Sequence, residues 1–219
     1  MLFTSRGLAE YRAMFTLDDA DLTGSLLDCC AGAASLVAEA SVQGGRAVAV
    51  DPFYAQGTAT VRDALRDSLR GGQQLIEDHE EQFVWDWYGD RATRDAMRAE
   101  AAAVFLEDLS GAPQRYVAAE LPRLPFADGA FDLAVCSHLL FTWARRLDCA
   151  WHLKALRELA RVAREVRVFP LVRAGDGSPT PFLTELLDEL GGLGLTAEVV
   201  GVEYEFQRGG NQMLRLLPS

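Results

Sequence analysis

The chain has 219 residues, 49% of them hydrophobic and 24% charged, enough for one α/β domain with a full core. With 21 basic residues against 32 acidic, its formal charge of −11 repels phosphate backbones and anionic lipid, which argues against nucleic acid or a membrane as partner. The amino terminus, MLFTSRGLAEYRAMF, carries Arg6, Glu10 and Arg12 where a signal peptide needs an apolar core, and no later segment reaches membrane-spanning length without charges, so a cytoplasmic protein is expected.

In chain order, SRGLAEYRAMF reads as an amphipathic helix with Leu8, Tyr11, Met14 and Phe15 on one face, the centre of an expected helical cap over residues 1–22. From there short apolar runs alternate with helical patterns, as in a parallel sheet covered on both faces. Strands are expected at SLLDCC, RAVAVD, RYVAA, FDLAVC and VRVFPL, then at AEVVGVEYEF and NQMLRLL. Only QRGG separates the last two, too short for a parallel return, so one strand is expected to be antiparallel. Residues 54–114 exceed a single crossover helix and form a helical insertion between the second and third strands, expected to break at Gly71-Gly72 and near Gly89. Its cluster FVWDWY either covers a pocket or anchors the helices to the sheet. Cys29, Cys30, Cys136 and Cys149 have no metal-ligand spacing, so neither a metal site nor a disulfide is expected; Cys29 and Cys30, adjacent on a strand, are expected to point to opposite faces.

Ligands of open parallel sheets sit beyond the carboxyl ends of the strands, which singles out LLDCCAGAAS. Asp28 ends the first strand, Gly32 permits close backbone approach, and Ala31, Ala33 and Ala34 keep the turn narrow; Cys30 and Ser35 stand where a dinucleotide loop has its other glycines. Asp51 lies nineteen residues after Gly32, placed to accept hydrogen bonds from a ribose, and Pro52 and Phe53 offer an apolar edge for a purine. In AAELPRLPFADGAFDLAVCSHLLF, Glu120 ends the third strand, Asp132 opens the fourth, and Cys136, Ser137 and His138 stand at its exit.

These ordered motifs, an acid followed by LPF, a turn, FDL and a fourth strand, resemble the class I S-adenosylmethionine-dependent methyltransferases, in particular their small-molecule subgroup, over residues 24–172. The resemblance implies a Rossmann-like three-layer sandwich with a mostly parallel seven-stranded sheet. It implies S-adenosylmethionine as cofactor, with Asp28, Cys30, Gly32 and Ala34 under the methionine part, Asp51 with Pro52 at the ribose, Glu120 with Leu121 beside the adenine, Ser137 and His138 facing the sulfonium, and Arg6 at the carboxylate. Cys30 and Ala34 depart from the family pattern, each replacing a glycine, and Arg164-Glu165 stands where the family has a glycine turn before the fifth strand.

A sulfonium needs little activation, so the protein must chiefly align a nucleophile and exclude water. His138 is the expected base where one is needed, or else packs locally; His79 and His152 fall in helical patterns. Tyr11 and, on the hairpin YEFQRGGNQM, Tyr204, Gln207 and Asn211 are candidate pocket residues, while Gly209 and Gly210 serve either a ligand or the turn itself. The leading expectation is methyl transfer to a small molecule. The alternatives are a cyclase converting the cofactor to azetidine-2-carboxylate and methylthioadenosine, with Tyr11, His138 or Asn211 orienting the amine, a noncatalytic binding protein with the same fold, and, less favoured, a nicotinamide dehydrogenase.

Overall fold

A computed structural model describes residues 3–218. Residues 1, 2 and 219, which the expected single domain and its 1–22 cap include, lie outside the described residues. Seven strands form one sheet: β1 Ser25–Cys29, β2 Arg46–Val50, β3 Tyr116–Val117, β4 Phe131–Ser137, β5 Ala163–Phe169, β6 Leu195–Gly201 and β7 Gln212–Pro218. Their spatial order is β3-β2-β1-β4-β5-β7-β6. All neighbours are parallel except β7, which runs antiparallel to both β5 and β6.

Helices cover both faces, as the apolar runs require. Leu26, Ala49, Leu133 and Val135 face α1 Leu8–Phe15, α2 Asp19–Thr23, α3 Leu36–Val42, and the insertion helices α4 Thr58–Asp78 and α5 Arg91–Gly111. The alternate residues, Leu27, Cys29, Ala134 and Cys136, face α6 Cys149–Val162 and α7 Leu183–Gly192. In α6, Ala155, Leu156, Leu159 and Val162 recur at helical spacing and are fully buried; a buried Leu of this kind contributes about 1.5–3 kcal/mol. Asp148 starts that helix by accepting the Trp151 amide at 2.8 Å. Among the described residues no helix is long and apolar enough to cross a membrane.

Three expectations about the elements are corrected. α4 runs unbroken through Gly71-Gly72, because a glycine weakens a helix by only about 1 kcal/mol and Val61, Leu65 and Ile76 anchor this one. No turn occupies Arg164-Glu165: α6 ends at Val162 and β5 begins at Ala163, the Glu165 carboxylate being held in the strand by Arg167 and Arg215 at 2.7 and 2.8 Å. The strand expected through Phe206 stops at Gly201, and the connection to β7 spans residues 202–211. It leaves the sheet because Val84 and Arg208 amides pair it with the insertion, through Phe206 O at 2.7 Å and Gln82 O at 2.9 Å. Phe206 stacks on Phe83 at 4.7 Å and Tyr204 meets Trp87 at 5.0 Å, so FVWDWY anchors the insertion to this link.

Candidate functional site

The chain leaves β1 toward β2 on one side and β4 toward β5 on the other, so strand order reverses between β1 and β4. The crevice at their carboxyl ends is where an open sheet takes its ligands. Asp28 has no exposure there; its Oδ1 accepts from the Tyr11 hydroxyl at 3.2 Å, and its Oδ2 is buried without a partner. Burial holds its carboxyl up at about 8, the Tyr11 hydrogen bond pulling the other way.

The loop that follows turns through two left-handed residues, Cys30 at φ 61° and Gly32 at φ 59°. A side chain on Gly32 would also meet the Thr4 carbonyl at 3.0 Å, so glycine is required for both reasons. Each amide from Ala31 to Ser35 is engaged. Ala31 donates to Val50 O at 3.0 Å, Ala34 to Ala31 O at 3.2 Å, and Gly32 to Asp51 Oδ2 at 3.1 Å. Ala33 and Ser35 donate to Thr4 O and Arg6 O, both at 3.0 Å. Residues 3–6 therefore lie across the loop as an extended strap. Its first ring, Phe3, sits 4.9 Å from Phe53 and 5.9 Å from Phe105, so the apolar edge expected of Phe53 is covered by the chain itself.

Asp51 follows β2. Besides Gly32, it accepts from the Phe53 amide at 2.9 Å, capping the short turn Pro52–Ala55; burial raises its carboxyl to about 6. Pro52 is exposed. Tyr54, three residues on, donates to Gly32 O at 2.6 Å and locks the loop from below. Glu120 lies beyond the two-residue β3 and is exposed, while Leu121 beside it is buried. Across the crevice Ser137 Oγ and His138 Nδ1 are 2.7 Å apart, and His138, at φ 56°, donates its amide to Phe169 O at 2.7 Å and sets its ring against Phe169. Burial, reinforced by Arg6 and Arg98, holds the imidazole well below its ordinary range, so it is neutral near pH 7.

Arg6 donates through Nη1 to Thr4 Oγ1 at 2.8 Å, and its Nε is buried without a partner. Its charge acts on Asp28, Tyr11 and His138 alike. Asp28, Cys30, Gly32, Ala34, Asp51 and Arg6 are thus gathered around one loop, with Tyr11 closing it from α1. Asn211 is not brought there: it is exposed, its amide donates to Glu205 at 3.3 Å, and it lines an open cleft of about 650 Å³ on the outer side of α1 with Arg12 and Thr16. Gln207 is spent on Arg173 O at 2.7 Å, and Tyr204 is buried.

Sequence reasoning missed a buried network behind the strap. Glu10, on α1, pairs with Arg98, on α5, at 2.9 Å, and accepts from the Tyr88 hydroxyl at 2.5 Å; the Tyr88 and Tyr204 hydroxyls are 2.7 Å apart. Arg98 also donates to Ser5 O, and Ser5 Oγ returns a bond to Arg98 O at 2.8 Å. The signal available was a charged residue on the apolar side of each helix. The cysteines correct a further expectation: the positive φ of Cys30 turns it back, and its Sγ lies 3.9 Å from that of Cys29 rather than on the opposite face.

A methyltransferase domain model matches residues 90–166, from the start of α5 into β5. The crystal structure of magnesium protoporphyrin IX methyltransferase from Synechocystis PCC 6803 with bound SAH superposes with a TM-score of 0.51 at 11% identity, covering 92% of this chain and 77% of that one. The fold is that of the class I S-adenosylmethionine-dependent methyltransferases. A SAM-dependent methyltransferase from Aquifex aeolicus aligns at 15% identity over 96% of this chain and 93% of its own, with a TM-score of 0.47. A protein of Methanocaldococcus jannaschii, itself uncharacterized, is 26% identical over 214 residues, 95% of this chain and 92% of its own. In the methyltransferase fold seen here, the domain match lies on α5 of the insertion and the β3–β5 half, whereas α4, the glycine loop and Asp51 fall outside it.

Proposed function

We propose that the protein is a methyltransferase that binds S-adenosylmethionine on the β1 loop and acts on a small molecule. The observation that carries this is a pair of buried, unpartnered polar atoms beside that loop, Asp28 Oδ2 and Arg6 Nε. An α-amino acid end supplies what each lacks, an ammonium for the carboxylate and a carboxylate for the guanidinium. The cofactor, when bound, supplies a methyl group already activated as a sulfonium. Asp28 and Arg6 hold its methionine end, Asp51 takes the ribose with its remaining lone pairs, and Glu120 and Leu121 flank the adenine. Tyr11, Phe15, Phe169 and Tyr204 make a contiguous aromatic wall, with ring separations of 5.6, 6.2 and 5.7 Å, that excludes water. His138, neutral at working pH, is the group beside that wall able to take a proton from an acceptor. The charge of −11 supports a small acceptor over nucleic acid.

Calorimetric titration with S-adenosylmethionine and S-adenosylhomocysteine tests the reading. Binding by the unmutated protein that is lost in Asp28→Asn and Asp51→Ala is expected; no heat with either ligand overturns it. Mass spectrometry of the same mixture without added acceptor separates the chemistries, since release of methylthioadenosine in place of intact cofactor replaces methyl transfer with self-consumption.

A further inference from the structure

Beyond His138 the chain that leaves β4 makes the short turn Phe141–Trp143. Beyond Phe169 the chain that leaves β5 folds back on itself, Val172 and Pro179 pairing as an antiparallel bridge. The Ala174 amide stitches the two together by donating to Thr142 O at 3.0 Å, and Gln207 Nε2 fixes the second from its other side by donating to Arg173 O at 2.7 Å. Thr142 and Arg173 are therefore held on adjoining, anchored main chain at the carboxyl edge of the sheet. Each keeps a buried polar atom without a partner, Thr142 Oγ1 and Arg173 Nε. A buried donor left unmade is costly, so both point to an acceptor that the chain itself does not supply.

Charge points the same way. Asp176 Oδ2 accepts from Arg145 Nη2 at 2.6 Å and from Arg173 Nη2 at 3.2 Å, so one carboxylate serves two guanidiniums. Arg146 adds a third, 5.3 Å over the Trp143 ring, and the other acid of these loops, Asp148, is engaged in capping α6. The Arg145 side chain is 61% exposed and that of Arg173 24%, so the pair opens to solvent while Nε stays covered. A guanidinium only donates, and its planar fork fits the oxygens of a carboxylate or a phosphate; a threonine hydroxyl can donate to the same group.

We propose that Thr142 and Arg173, with Arg145 at the rim, form a subsite for an oxyanion, and that the methyl acceptor carries that group as a carboxylate or a phosphate. The acceptor assignment rests on the methyltransferase reading above; the anion site does not. Thr142 lies four residues beyond His138, and Arg173 four beyond Phe169, whose ring meets that imidazole. Four residues of chain span at most about 14 Å. The anchored group and the atom to be methylated are therefore separated by no more than the length of a small molecule.

Arginine Nε–H groups report the site directly in proton–nitrogen correlation spectra of the purified protein. The Arg173 signal is assigned by through-bond correlation to its own amide, and inorganic phosphate and benzoate are titrated separately at constant ionic strength. Arg161, Arg167 and Arg215 are internal controls, because their Nε atoms already donate to Glu158, Glu165 and Glu165 at 2.9, 2.7 and 2.8 Å. Saturable movement of the Arg173 signal with the controls still is expected, and tighter binding of one probe tells phosphate from carboxylate. Thr142→Val, which keeps the shape and removes the hydroxyl, should weaken that binding roughly fivefold. No movement with either probe, movement shared equally by the controls, or equal affinity in Thr142→Val overturns the site. Repeating the titration with saturating S-adenosylhomocysteine separates the two claims. Undiminished anion affinity is expected, whereas competition places the anion where the cofactor sits and overturns the acceptor assignment alone. Absence of S-adenosylhomocysteine binding refutes the methyltransferase reading, and with it the acceptor assignment, while the anion site stands.

Discussion

Asp28→Asn is expected to make the protein more stable while removing its cofactor binding. In the fold the Asp28 carboxyl is held at about 8, against an ordinary value of 3.8, chiefly because it is fully buried. At pH 7 the folded chain keeps that proton and the unfolded chain releases it, which costs the fold roughly 4 kcal/mol. Asparagine never ionises, but it leaves a buried amide without an acceptor, at about 1–3 kcal/mol. The net gain is about 1–3 kcal/mol, or a melting temperature raised by roughly 5 °C for a chain of this size. Between pH about 4 and about 8 the native state binds one more proton than the unfolded state, so stability falls with rising pH by about 1.4 kcal/mol per unit from this group. Asp51, raised to about 6, adds its own slope in the lower part of that window, identically in both proteins. Urea unfolding of the two proteins across this range isolates Asp28 as a stability difference that grows with pH and levels off above about 8. A difference independent of pH refutes the reasoning.

Cofactor binding should release protons below pH about 8 as Asp28 ionises against the ligand's ammonium, and calorimetry in buffers of different ionisation enthalpy counts them. Glu10→Gln leaves Arg98 buried without its counter-charge and should cost about 3–5 kcal/mol, most of it regained in Glu10→Leu/Arg98→Met; chemical denaturation of the three variants gives the coupling. Gly32→Ala forces a side chain into a left-handed residue 3.0 Å from Thr4 O, so the Ala33 and Ser35 amides should lose protection in hydrogen exchange before the sheet amides do.

Most of the sheet was legible in the sequence because parallel strands covered on both faces appear as short, predominantly apolar runs, as in LLDCC and RAVAV. The acids at the ends of these runs were legible for the same reason. The strap was not: an extended segment that bonds through its carbonyls has no period to detect. Cys30 escaped because alternation along a strand presumes negative φ, and this residue breaks it. Glu10 and Arg98 were hidden by their charge, since a charge on a helix is ordinarily read as a solvated face, and their partnership joins helices distant in the sequence.

The strap meets its neighbours by alternation. Thr4 O and Arg6 O turn to the loop, and Ser5 O between them turns to Arg98. Because these contacts belong to the main chain, the identity of Thr4 matters little to them; its side chain matters instead to Arg6, whose guanidinium donates to the Thr4 hydroxyl at 2.8 Å. Deleting a single residue from the strap reverses the parity, pointing at Arg98 the carbonyls meant for the loop. The carbonyl pattern of this segment is thus vulnerable to changes of length rather than of letter, and a survey confined to substitutions would overlook that.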